Sequence, residues 1–138
     1  KMKEQPKLVV TSGAEWRRLR EEGQHVTLPS GNVARLRPVS FEELLRAGRI
    51  PNPLLSTLRR MMGLDRIEQN APRDLAKETE DMILLMEIVC KSAMLEPRIV
   101  DDPTEDDEIA FFDLTSADRD YVMDWVQNPQ SAVKPFRS

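Results

Sequence analysis

The segment from about Arg73 to Leu95 constrains this chain more than any other. Leu75, Thr79, Met82, Met86, Val89 and Ala93 recur every three or four residues, which predicts one continuous helix. Ile83, Leu84, Leu85, Ile88, Cys90, Met94 and Leu95 add apolar surface on its other sides, leaving Glu80, Glu87 and Lys91 as a narrow polar stripe. Glu87 precedes Lys91 by four residues, the favourable order for an ion pair on a helix. A helix that is apolar nearly all round must be covered nearly all round. It is therefore either the central helix of a small core or part of a subunit interface, and Met82 and Met86 are read as core. It does not read as a membrane span. Its longest apolar run, Met82 to Cys90, is broken by Glu87 and falls short of the ~20 residues a span requires.

Around this helix the 138 residues divide into a lead-in at 1–11, one globular domain at 12–128 and a tail at 129–138. Ser12 with Glu15 is a capping box opening a helix through Trp16 and Leu19, and Gly23 supplies its stop. Val26 and Leu28 then alternate with polar neighbours, and Pro29-Ser30-Gly31-Asn32 has the residues a tight turn needs. Together these predict a β-hairpin over 24–28 and 33–37, which must pack on helices or pair with another copy. A second capping box, Ser40 and Glu43, opens a short helix with Phe41, Leu44 and Leu45 on one side, closed by Gly48. Pro51 and Pro53 interrupt before a third helix, Leu54 to Met62, and residues 64–74 read as a loop. After Glu96-Pro97, Ile99 and Val100 read as extended, and Ile109 to Phe112 read as returning to the core. Thr115 caps a last helix carrying Tyr121, Val122, Trp125 and Val126. The fold class predicted is α+β, predominantly helical, with about five helices and one β-hairpin.

Reactive chemistry is sparse. The single His25 falls on the hairpin, and the single Cys90 falls among Met86, Val89 and Met94, the setting of an inert core thiol. One cysteine permits no internal disulfide, which fits a reducing compartment. The short motifs for zinc, nucleotide phosphate and dinucleotide binding are not found. The acids Asp101, Asp102, Glu105, Asp106, Asp107 and Glu108 lack the glycine of a calcium loop and are interrupted by Pro103, so they read as a solvated loop. No catalytic residue, metal or cofactor is predicted. Arg17, Arg18, Arg20, Arg35 and Arg37 form a possible basic patch if the first helix lies beside the hairpin. Against nucleic acid stand the net charge of −4 and the diluting Glu15, Glu21 and Glu22. Charge is also uneven. Residues 1–75 carry 14 Lys and Arg against 9 Asp and Glu, whereas residues 76–138 carry 6 against 15. A basic front and an acidic rear attract one another within a chain or between copies.

The order of segments is itself informative. A capped helix leads to VTLPSGNVARLRP, a small helix and RAGRIPNPLL; LEPRIVD, IAFFDLTSADRDYVMDWV and a final FR follow. Over roughly residues 13–137 this string resembles the tail assembly chaperones of long-tailed bacteriophages. The resemblance implies a non-enzymatic protein in the cytoplasm of the infected host that binds the helical tape-measure protein and tail tube subunits, and that self-associates. One departure is the Lys1-Met2 start. A chaperone for an apolar helical client needs adaptable apolar surface, which methionine supplies. The candidate protein-binding surface is Leu58, Met61, Met62, Leu84, Ile88, Met94 and Phe136, with core filling the open alternative for Met61 and Met62. The rival functions are a structural tail or head–tail completion protein kept in the virion and a small nucleic-acid-binding regulator.

Overall fold

The computed structural model describes residues 8–61 and 74–127. Five α helices and five short strands are placed among them, the α+β, mostly helical class that the periodicities imply. The first helix, α1 (Gly13–Glu22), begins where Ser12 accepts a hydrogen bond from the Glu15 amide at 3.2 Å. It ends at Gly23, whose φ of +73° with ψ of −167° lies in a region open essentially to glycine. A Cβ at Gly23 would also stand 2.5 Å from the Leu36 carbonyl oxygen, so this glycine lets α1 turn tightly into the sheet.

The hairpin forms as read. Strand β1 (Gln24–Thr27) pairs antiparallel with β2 (Val33–Leu36), Val26 opposite Ala34. Its turn is closed by the Leu28 amide donating to the Asn32 carbonyl and the Gly31 amide donating to the Leu28 carbonyl, both at 2.8 Å. A third strand was not read from the sequence: β3 (Met94–Glu96) pairs antiparallel with β2, with a register irregularity at Arg35 and Leu36. The expected helix end at Leu95 is thus corrected to strand, because pairing with β2 satisfies this backbone better than one more helical turn. The order β1-β2-β3 leaves the hairpin supported on one side only. After the cis Glu96–Pro97 peptide, β4 (Arg98–Ile99) pairs parallel with β5 (Glu108–Ile109), a strand the sequence reading also missed.

Helices α2 (Phe41–Arg46), capped by Ser40, and α3 (Leu55–Met61), entered through a 3-10 turn at Asn52–Leu54, follow the hairpin. The long helix α4 (Leu75–Ala93) starts at Asp74, whose carboxylate accepts from the Lys77 amide at 3.1 Å. The predicted loop over 64–74 otherwise lies outside the described residues. The last helix, α5 (Ser116–Gln127), is capped by Thr115, whose hydroxyl accepts from the Asp118 amide at 3.0 Å.

One core joins these elements. Leu36, Leu44, Leu58, Leu85, Cys90, Val122 and Trp125 are fully enclosed, with Ala93, Val89 and Met94 beside them. Its far end is tied down by a polar latch: buried Asp118 on α5 accepts the Ser30 amide of the hairpin turn at 2.9 Å. None of the helices described is long and apolar enough to cross a membrane.

Candidate functional site

Helix α4 behaves differently along its length. The helix packs against α5, β3, β4 and the 3-10 turn at Phe111–Asp113, and in its C-terminal half Leu85, Val89, Cys90 and Ala93 are buried. The N-terminal half is held to α3 by Thr57–Asp81 and Arg60–Glu78 contacts, and there Leu75 is 65% exposed, Met82 45%, Leu84 44% and Ile83 38%. At 100° per residue, Leu75, Thr79, Met82 and Ile83 occupy one contiguous outward face, with Met86 half-buried where that face enters the core. Leu75, Met82 and Ile83 thus form one exposed apolar patch on that face, whereas Leu84 falls about 150° away, on the far side of the helix.

This arrangement corrects the reading of the helix. The inward face of the first two turns is carried not by Met82 but by Asp81, which is 7% exposed. Asp81 accepts from the Thr57 hydroxyl of α3 at 3.3 Å and from Lys77 Nζ at 3.4 Å. A buried carboxylate with two donors is tolerable, and its place on the inner face rotates Met82 outward. The Glu87–Lys91 pair forms as expected, at 2.9 Å.

The other predicted surface residues separate. Leu58 and Met94, 1% and 3% exposed, are core side chains and are corrected as such: α3 turns Leu58 onto α4, and the switch to strand turns Met94 inward. Leu84 is open and Ile88 half-buried. Met61 ends α3 with its side chain outside the described residues, and Met62 and Phe136 lie outside them altogether. Leu45, read on one side of α2 with Phe41 and Leu44, is 41% exposed while Leu44 is buried.

The arginines also separate. Arg17, Arg18 and Arg20 are exposed on α1. Arg35 is occupied internally, donating to the Glu22 carbonyl at 2.6 Å and pairing with Glu96 at 3.3 Å. Arg37 donates to the Ser92 carbonyl at 2.9 Å and pairs with Glu43 at 3.1 Å. The proposed five-residue basic patch is therefore reduced to the three on α1, because Arg35 and Arg37 staple the sheet to its neighbours.

Two exposed aromatics were not foreseen as surface groups. Trp16 on α1 is 73% exposed, and α1 has no buried residue at all. Phe112, read as core, is 69% exposed and is corrected accordingly. Its ring stands edge-on to buried Phe111 at 5.0 Å, and the Arg119 guanidinium lies 5.3 Å and 5.5 Å from the two rings. No period-3.6 signal could have separated Phe111 from Phe112, since adjacent residues of a 3-10 turn point apart.

Cys90 and His25 lie in different settings. Burial pushes the Cys90 thiol up to about 12, outweighing the opposing influence of Arg119, so it stays protonated. His25 is exposed on β1, lining a shallow groove of about 520 Å³ with Arg35, Glu96, Asp106 and Asp107. The acidic loop is structured by internal bonds. Glu108 accepts from the Thr104 and Glu105 amides at 3.0 and 3.2 Å and pairs with Arg98 at 2.8 Å, and Asp101 pairs with Lys91 at 2.8 Å. Backbone donation from Thr104, then Glu105, holds the Glu108 carboxyl below its usual range, and the Lys91 hydrogen bond does the same for Asp101. Among the described residues no group of three or more His, Cys, Asp or Glu is placed to hold a metal ion. Compared with protein-family models, with curated proteins and with solved structures, the chain matches none.

Proposed function

We propose that this chain acts by binding other polypeptides, as a tail assembly chaperone of a long-tailed bacteriophage. In this reading it holds the apolar helical tape-measure protein, and the tube subunits recruited to it, in the cytoplasm of the infected bacterium. The observation that carries the reading is the two-part character of α4. Its C-terminal half is locked into the core, while its N-terminal half presents Leu75, Met82 and Ile83 outward on a rigid scaffold. An amphipathic client helix is recognised by such a face through apolar anchors at helical spacing. Met82, unbranched and polarisable, adapts to clients of differing shape. The chemistry is that of contact, not of bond-making.

The test mixes the purified chain with soluble-tagged fragments of a tape-measure protein and follows co-elution in size-exclusion chromatography and recovery of the fragment in solution. Binding is expected for the wild type and at least tenfold weaker for Met82→Glu or Ile83→Glu, both exposed enough to spare the fold. Neither co-elution nor improved recovery with fragments spanning the whole tape-measure protein would overturn the proposal.

A further inference from the structure

The exposed stripe of α4 continues to where the helix enters the core. At 100° per residue, Leu75, Met82, Met86 and Val89 fall within about 60° of one another, and at 1.5 Å per residue they span ~21 Å. Exposure falls along this line: Leu75 is 65% exposed and Met82 45%, Met86 is half-buried, and Val89 is 2% exposed. Val89 is also a wall of a pocket of about 390 Å³ between the entry to α2 and the end of α5. The face offered to a client therefore leads into a recess at its inner end.

The recess suits one large apolar side chain. Val39, Val89 and Val126 are buried and, with half-buried Phe41, give it apolar walls. Its volume lies near the lower end of the range for small-molecule sites and is ample for an aromatic ring. At the mouth stand Ser40, Glu42 and Gln127, all exposed. The Ser40 hydroxyl is engaged, accepting from the Glu43 amide to cap α2. Among the described residues Glu42 is the only charged one lining the pocket and makes no ion pair, whereas Glu43 beside it is paired with Arg37. A carboxylate left open at the rim of an apolar recess favours a cation, and repels an anion, on whatever enters.

We infer that this recess is the end subsite of the client face: it takes a large apolar side chain of a helical client, while Glu42 pairs with a lysine or arginine one turn beyond it. The preceding anchors of the same client helix lie on Met86, Met82 and Leu75, so the segment recognised is about four turns (~15 residues) long. The inference rests on the client-binding reading for its occupant and adds a sequence preference to it: an apolar stripe that ends in a bulky residue with a cation behind it. Apolar contact along α4 supplies affinity, and the recess with its carboxylate supplies register and direction.

The probe is a fluorescein-labelled helical peptide of about 18 residues, its leucine stripe ending in Phe with Lys one turn further on. It is titrated with the full chain and followed by anisotropy. Two further peptides carry Ala in place of Phe, or Glu in place of Lys. The wild type is expected to bind the Ala peptide roughly thirtyfold more weakly, the loss typical of an aromatic anchor. It binds the Glu peptide about fivefold more weakly, a preference that fades as salt rises. Glu42→Gln abolishes the charge preference and Glu42→Lys reverses it, both keeping the requirement for Phe. A reversed preference cannot come from a misfolded chain, and unchanged far-UV circular dichroism checks the fold directly. Met82→Glu weakens all three peptides alike, because they share the stripe. Overturning results are equal binding of the Phe and Ala peptides, a charge preference that survives Glu42→Lys, or Met82→Glu without effect. Two others name a different occupant: tighter peptide binding once residues 129–138 are removed makes it the chain's own end, and self-association abolished by Glu42→Lys makes it a second copy. The two readings fail separately. A chain that captures tape-measure fragments but binds none of the peptides refutes the subsite alone, whereas the peptide pattern without fragment capture refutes the tape-measure client and leaves the subsite standing.

Discussion

Replacing Asp118 probes the hydrogen bond that ties the hairpin turn to the last helix. Its carboxylate is 2% exposed, accepts the Ser30 amide at 2.9 Å across 88 residues of sequence, and sits in the first turn of α5. A hydrogen bond to a charged acceptor contributes about 1.5–3 kcal/mol. A negative charge in the first turn of a helix contributes ~0.3–1 kcal/mol. Asp118→Ala removes both, so a loss of about 3 kcal/mol is expected. Asp118→Asn keeps an acceptor oxygen in nearly the same place and forfeits mainly the charge, for about 1 kcal/mol. Urea unfolding followed by circular dichroism and by Trp125 emission measures both, and an unchanged m-value shows that the native state is preserved. A loss below ~1 kcal/mol for the alanine variant would refute the argument. So would equal losses for the two variants, since the latch would then depend on charge and not on the hydrogen bond.

Along α4 the two halves should respond oppositely to substitution. Leu85→Ala, in a fully enclosed site, is expected to cost about 3 kcal/mol, while Ile83→Lys, on the open face, shifts the urea midpoint by less than ~0.5 kcal/mol equivalent. Acid stability follows the carboxyls of Glu108 and Asp101. Both are held below their unfolded values, so their contribution is present above the unfolded carboxylate range and is lost as pH falls through the folded pKa. Glu108→Gln should therefore flatten the acid limb of stability against pH, read by thermal melts from about pH 5 to pH 2; an unaltered limb would rule out this loop as its source.

The candidate surface was only partly legible in the sequence. Leu84 and the arginines of α1, named as candidate surface groups, are exposed, and Cys90, read as a core thiol, is buried. Leu58 and Met94 were not, because an apolar residue on a short helix or at a helix end has no local signature of which neighbour will cover it. The outward face of α4 was missed for a related reason. A helix apolar nearly all round has no strong moment, and the choice among its faces falls to whichever neighbours arrive.

What the sequence determined by itself is what short-range hydrogen bonding decides. Ser12, Ser40 and Thr115 cap their helices, Gly23 ends α1, and Pro29 to Asn32 turn the hairpin, since each of these bonds joins groups within a few residues. Only tertiary structure decided that Met94–Glu96 would be strand, that buried Asp81 would rotate Met82 into solvent, and that Phe111 rather than Phe112 would fill the core. These outcomes turn on long-range competition for cover. A backbone edge offered by β2, a hydroxyl offered by Thr57 and a gap left beside α4 are properties of the assembled chain, and no local period encodes them.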